Sequence, residues 1–121
     1  MKYMPDAKIK LNKRGKIELS EAQIVQQSID YLRAHGWLCL RLQSGMFRSM
    51  DDRRAVRIGE KGMPDWLVIN TRVRPHAICF IEFKTLRGKL SKEQKLWQAN
   101  IHKMGLKVIV VRGLRDLAVL S

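Results

Sequence analysis

Gly62-Met63-Pro64-Asp65-Trp66-Leu67-Val68-Ile69 and Ala77-Ile78-Cys79-Phe80-Ile81-Glu82-Phe83-Lys84 decide how this chain is read. Each stretch carries an apolar run of strand length with ionisable residues at one end. Trp66–Ile69 is almost entirely apolar, which predicts a short, well-covered strand. Ala77–Phe83 predicts a second strand, and Arg72-Val73-Arg74-Pro75 between them has the composition of a turn, so the two can pair as a hairpin. Asp65 stands at the mouth of the first strand, and Glu82 and Lys84 close the second. Side chains alternate faces along a strand, so Glu82 and Lys84 point one way and Phe83 the other. Hairpin pairing would bring the carboxylates of Asp65 and Glu82 to one end of a sheet.

Outward from this pair, the patterns are regular. Ser20 and Gln23 form a capping-box pair at the start of a helix whose apolar residues Ile24, Val25, Ile29, Tyr31 and Leu32 recur at helical spacing, and Gly36 closes it. Trp37–Leu42 predicts a strand. Gln43–Gly62 is polar and densely charged, a long loop with a short strand at Ala55–Ile58, and loops of that length in small domains are usually functional. Thr85–Leu90 is a loop containing Gly and Lys. Ser91 caps a second helix with the expected apolar stripe Leu96, Trp97, Ile101 and Met104, closed by Gly105. Lys107–Val111 predicts a buried strand and Leu114–Leu120 a short terminal helix. The order helix, three strands, helix, strand (αβββαβ) predicts an α/β fold with a small mixed sheet flanked by helices. Residues 1–18 are basic and poorly patterned, a flexible arm, and 19–121 form a single domain.

The chain has 121 residues, 45% of them hydrophobic, enough for one core without disulfide staples. Lys plus Arg number 24 against 11 Asp plus Glu, so the net charge is 24 − 11 = +13. Solubility needs far less, and the self-repulsion points to a polyanionic partner. Nucleic acid is favoured over an anionic membrane, because no basic amphipathic helix shows a large apolar face. Charge alone does not separate an enzyme from a basic structural component of a nucleoprotein. Cys39 and Cys79 lie in apolar strands and read as buried thiols in a reducing compartment. The N-terminus has no apolar signal region and no run is long enough to span a bilayer, so a cytoplasmic protein is expected.

Asp65, Glu82 and Lys84 suit one chemistry in particular. Paired carboxylates hold a hard divalent cation that keeps several waters. Such a cation polarises a phosphoryl oxygen and acidifies water, and a neighbouring lysine can hold that water or stabilise charge developing on phosphorus. Singly, each residue also has a plain reading: Asp65 follows a Gly-Met-Pro turn, and Glu82 and Lys84 can fray into solvent. It is their conjunction in so basic a chain that favours phosphodiester hydrolysis.

Gly62-Met63-Pro64-Asp65, Ile81-Glu82-Phe83-Lys84 and Leu90-Ser91-Lys92-Glu93-Gln94, running through Trp97 to Gly105 and a hydrophobic strand, together resemble the VRR-NUC domain of the PD-(D/E)XK nuclease superfamily. The resemblance extends from about Ser20 to the C-terminus and is similar to the small free-standing form found in phage and bacteria. It implies a restriction-endonuclease-like core and a Mg²⁺- or Mn²⁺-dependent endonuclease cutting DNA. It implies Asp65 and Glu82 as metal-binding acids, the backbone carbonyl of Phe83 as a further ligand, Lys84 as the catalytic lysine and Gln94 as a catalytic-site residue on the following helix. Glu21 matches an extra acid directed at the metal, though a first-turn acid also stabilises a helix by itself. Kinship with Holliday-junction resolvases implies a homodimer acting on branched DNA, with Leu114, Leu117, Val119 and Leu120 or the Gln43–Gly62 loop as its interface.

Arg48, Arg53, Arg54, Arg57, Lys61 and Lys89 are the candidate DNA contacts, since several cations are needed to seat a duplex. A solvated charge run is the alternative. His35, His76 and His102 are scattered without a nucleophile beside them, the glycines form no phosphate loop, and Trp37, Trp66 and Trp97 read as core. Met4-Pro5-Asp6 repeats the Pro-Asp pair with no strand or Glu-x-Lys at a suitable distance and receives no role. The other function class open to this sequence is a catalytically silent module that recognises branched or duplex DNA. Cleavage of labelled DNA in Mg²⁺ against EDTA separates the two.

Overall fold

A computed structural model describes residues 10–11, 17–42, 45–48 and 55–120. Its elements are β1 (Lys10–Leu11), β2 (Ile17–Glu18), α1 (Glu21–Ala34), β3 (Trp37–Arg41), β4 (Gly45–Arg48), β5 (Ala55–Ile58), β6 (Trp66–Asn70), β7 (Ala77–Phe83), α2 (Lys92–Lys103), β8 (Lys107–Val111) and a 3₁₀ helix over Leu114–Leu120. Four strands form the principal sheet in the order β3-β6-β7-β8. The first three are antiparallel neighbours, and β8 joins β7 in parallel through the α2 crossover. The sheet is therefore mixed, and the expected β6–β7 hairpin is present, with a turn that includes a cis Arg74–Pro75 bond. This is the α/β architecture that the sequence predicts.

The core forms where α1 crosses the sheet. Ile24, Ile29 and Leu32 on the helix are buried together with Cys39, Val68, Cys79, Ile81, Phe83 and Val111 on the strands. Cys39 pairs with Val68, and Val68 with Cys79, so one buried row runs across three strands on a single face. Both cysteines are free and buried, as expected. On the opposite face Leu38, Leu40 and Ile78 are exposed.

Capping chemistry matches the sequence at both helices. Ser20 and Gln23, and likewise Ser91 and Gln94, exchange reciprocal side-chain–backbone hydrogen bonds. The apolar stripe of α2 is narrower than its sequence predicts. Ile101 alone is buried, Trp97 is half-buried, and Leu96 and Met104 are 63% and 73% exposed. The reason is that α2 packs mainly on the edge strand β8 and reaches β7 only through its inner side chains such as Gln94 and Trp97, which leaves the outer stripe uncovered. Tyr31 likewise turns outward and stacks on His35 with ring centroids 4.1 Å apart.

Within the basic N-terminal segment β1 pairs with β2, and within the long loop β4 pairs with β5. Residues 1–9, 12–16, 43–44, 49–54 and 121 lie outside the described residues, and with them most of the arm, Arg53, Arg54 and the Met4-Pro5-Asp6 repeat. In the terminal 3₁₀ helix Leu117 is buried in the core while Leu114 and Val119 face outward, so of the apolar residues named for an interface Leu117 is already occupied. Among the described residues no helix is long and apolar enough to cross a membrane.

Truncating a filled core position should separate sharply from truncating the outward stripe of α2. Leu32→Ala should cost about 2–5 kcal/mol of unfolding free energy. Leu96→Ala should stay within about 0.5 kcal/mol. Urea denaturation of both variants checks this, and equal costs would contradict the edge placement of α2.

Candidate active site

β6 begins at Trp66, which pairs with Ile81, so one step further along the same register Asp65 faces Glu82. The hairpin thus brings the two acids side by side, as the sequence spacing requires. The Asp65 carbonyl accepts a hydrogen bond from the Leu42 N–H at 2.7 Å, which extends the β3–β6 ladder through Asp65. On its other side the Lys84 N–H donates to the Val111 carbonyl at 3.1 Å, prolonging the β7–β8 ladder past Phe83. Both ends of the acid pair are therefore built on sheet backbone.

Glu82 is only 3% exposed, one of two buried polar residues in the described structure. Its Oε1 accepts a 2.5 Å hydrogen bond from the Gln94 amide nitrogen. Its Oε2 is equally enclosed and has no hydrogen-bond partner. Burial, then the Asp65 carboxylate, push its pKa from 4.5 up to about 7; Lys84 and Gln94 act in the opposite direction, and Glu21 adds to the rise. Asp65 is raised as well, first by burial and then by Glu21, while the Phe83 backbone N–H, Lys84 and Arg41 favour its charged form. Like charges crowded at low dielectric explain both shifts.

Gln94 has a double duty. Its backbone N–H and its side-chain oxygen complete the cap with Ser91, while its amide nitrogen reaches Glu82. The segment that leads into Asp65 is docked on the same helix. The Trp97 indole N–H donates to Glu60 at 3.2 Å, and Lys61 pairs with Glu93 at 3.1 Å. Gly62 sits between them at φ +86°, and a Cβ there would lie 2.5 Å from the Glu93 carbonyl group. Only glycine satisfies that backbone angle and that approach together.

The fold places the predicted residues unequally about this pair. Asp65, Glu82, Lys84 and Gln94 converge. Glu21, first residue of α1 and exposed, is near enough to act electrostatically on both acids. Phe83 buries its side chain in the core and enters the site through its backbone. Lys61 is engaged with Glu93, and Lys89 is exposed on the loop after β7. Arg48 and Arg57 belong to the β4–β5 ladder, with their side chains outside the described part. Arg41 at the end of β3 and the Glu60–Trp97 bond had no motif to announce them; only the strand register and the fold bring them here. Trp37 is core as expected, whereas Trp66 is half-buried under the Arg33 guanidinium, 6.0 Å from its ring centroid.

Among the described residues no group of three or more His, Cys, Asp or Glu side chains closes into a metal-binding cluster. The fit of a cation rests instead on the acid pair. A buried carboxylate oxygen with no partner, beside a second carboxylate, is the environment that a divalent cation with retained waters would satisfy.

Comparison with known proteins identifies the family and agrees on the fold. The VRR-NUC domain model matches residues 21–114. A solved structure described as a VRR_NUC domain superposes with a TM-score of 0.60 at 24% sequence identity, covering 83% of this chain and 91% of its own. No curated protein matches.

The raised pKa makes a stability prediction with a definite sign. Glu82 binds its proton more tightly folded than unfolded, so its charge destabilises the fold as pH rises from about 4.5 to about 7 and fully above that. Glu82→Gln should therefore be more stable than wild type at pH 8, by on the order of 3 kcal/mol, and about equal to it at pH 4. Denaturant unfolding in EDTA at both pH values checks this. Millimolar Ca²⁺ at pH 8 should stabilise wild type and leave the variant unmoved.

Proposed function

This chain belongs to the VRR-NUC family of nuclease domains, and from that premise we propose that it is a divalent-cation-dependent endonuclease that hydrolyses DNA phosphodiester bonds. The observation that carries this reading is the buried, unpartnered Oε2 of Glu82 beside Asp65. Asp65 and Glu82, with the Phe83 backbone carbonyl, would hold Mg²⁺ or Mn²⁺, and Glu21 would add negative charge nearby. When bound, the cation supplies Lewis acidity toward a phosphoryl oxygen and toward water.

The chain's own residues do the rest. Gln94 holds one oxygen of Glu82, leaving the other free to ligate. Lys84 presents an ammonium that orients the attacking water and offsets charge gathering on the phosphoryl oxygens. The water gives up a proton to solvent as its oxygen bonds to phosphorus, the bond to the leaving sugar oxygen breaks, and that oxygen takes up a proton from solvent. Exposed cations around the acids draw in the backbone of the polyanion.

We further assign the enzyme to branched DNA as a homodimer, in the cytoplasm. One compact domain carries one such site, and a symmetric four-way junction presents two equivalent strands. A two-fold pair of copies holds two sites at a constant spacing. The outward-facing Leu114 and Val119 are available for that contact.

Asp65→Ala and Glu82→Ala should abolish cleavage of labelled DNA in Mg²⁺. Lys84→Ala should lower the rate by on the order of 100- to 1000-fold while keeping the Ca²⁺-dependent rise in stability. Each variant should retain its folding transition. A folded variant that cuts at the wild-type rate removes that residue from the mechanism, and DNA binding without cleavage by wild type in Mg²⁺ or Mn²⁺ would favour a silent binding module. For assembly, light scattering at micromolar concentration should give twice the chain mass; a strict monomer that resolves four-way junctions symmetrically would sink the dimer.

A further inference from the structure

The loop that follows Glu82-Phe83-Lys84 is tied to the end of β8 by one side chain. Arg112 donates from a single guanidinium nitrogen, Nη1, to the backbone carbonyls of Thr85 at 2.7 Å and Gly88 at 2.6 Å, with Leu86 at 3.4 Å. The Arg112 backbone N–H is itself held by Asp116 at 2.7 Å. Within the loop the Gly88 N–H returns to the Thr85 carbonyl at 3.1 Å, closing a tight turn with Leu86 and Arg87 at its tip. Gly88 is packed against the stem of Lys84: a Cβ there would lie 3.4 Å from the Lys84 Cδ and 3.0 Å from the Thr85 hydroxyl.

Three carbonyls converging on one cation do more than close a turn. Carbonyl oxygens pointed inward leave the outer rim of the loop to its side chains, and Arg87 and Lys89 are both exposed there. Lys84, Arg87 and Lys89 thus place three cations within six residues, on a turn whose shape is set from outside it. We propose that the Lys84–Lys89 turn is a phosphate-gripping loop in which Arg87 and Lys89 contact the DNA backbone, and that Arg112 is the positioning residue that holds it and the Lys84 stem in shape. This rests on the nuclease reading above. Arg112 does not touch substrate; it acts through the loop.

The test compares Arg112→Met, Arg112→Lys and the double variant R87A/K89A. A lysine ammonium has three donors on one nitrogen, so Arg112→Lys can recover part of an anchor made by one nitrogen, and Arg112→Met cannot. Duplex binding is measured in EDTA at several salt concentrations. Each lost phosphate contact reduces the slope of log affinity against log salt by about 0.9, so Arg112→Met and R87A/K89A should each lower it by about 1.8. Adding Arg112→Met to R87A/K89A should lower it no further. In Mg²⁺, Arg112→Met should reduce kcat, and Arg112→Lys should restore part of it. Independently of DNA, amide hydrogen exchange at Gly88 should quicken in Arg112→Met. A further full step in slope on the R87A/K89A background would make Arg112 a direct phosphate contact and overturn its positioning role. Faster exchange with unchanged binding would overturn the phosphate role of the loop alone. Unchanged exchange, binding and kcat would overturn the anchor. Wild-type protein that binds no DNA would instead overturn the nuclease reading, with the exchange result standing apart.

Discussion

A carboxylate buried on a central strand is the constraint on which the rest of this structure depends. Glu82 lies between β6 and β8, 3% exposed, with one oxygen bonded to Gln94 and the other bare. A hydrogen bond to a charged group contributes about 1.5–3 kcal/mol. The rise of its pKa to about 7 shows that desolvation and the neighbouring acids outweigh that bond and Lys84 together. The free chain therefore carries an unresolved electrostatic cost at neutral pH, located where a cation would remove it. Such local disagreement with the rules of burial is what a functional site looks like from the standpoint of stability.

Holding that acid in place requires α2, and α2 reaches the site twice. Gln94 touches Glu82 directly, and the Glu60–Gly62 turn that leads to Asp65 is docked on Glu93 and Trp97. The helix is poorly covered elsewhere, since Leu96 and Met104 face outward. Its burial alone is a weak account of its position. The capping box and the contacts to residues 60–62 orient its first two turns, which are the turns the site uses. Positioning the acids and orienting α2 are thus one packing problem.

The sequence made the architecture legible because its signals were periodic and local. The capping box at Ser20, the N-cap at Ser91, the apolar strands at Trp66 and Ala77 and the parity of Glu82 and Lys84 each depend on a few neighbouring residues, and each is found where expected. Failures came where tertiary context decides. The stripe of α2 has helical spacing whether or not a sheet lies beneath it, and here α2 packs mainly on the edge strand β8 and reaches β7 through Gln94 and Trp97. Arg112 joins carbonyls 24 to 27 residues away, and backbone carbonyls carry no sequence signature. The approach of Asp65 to Glu82 was readable from the strand spacing, but the raised pKa of Glu82 was not, because it arises from enclosure and from the cross-strand carboxylate.

Two opposing fields meet at this site, and their opposition couples the binding of metal and DNA on the proposed reading. The chain as a whole carries +13, a field that lowers carboxylate pKa values and attracts phosphate. Asp65, Glu82 and Glu21 reverse that field locally, strongly enough that burial and mutual repulsion raise the two interior acids. On the proposed reading, a phosphodiester drawn in by Arg87 and Lys89 meets carboxylates at the point of chemistry and is repelled there unless positive charge sits between them. On the proposed reading that charge is the divalent cation, and it offsets the repulsion within the acid pair and the repulsion between acids and phosphate at once. Metal and DNA should then bind with positive coupling, each raising the affinity of the other by the same factor, as linkage requires. Arg87 and Lys89, both exposed, lie outside the enclosure that leaves Glu82 Oε2 without a partner, so on this reading they do not take the place of the cation.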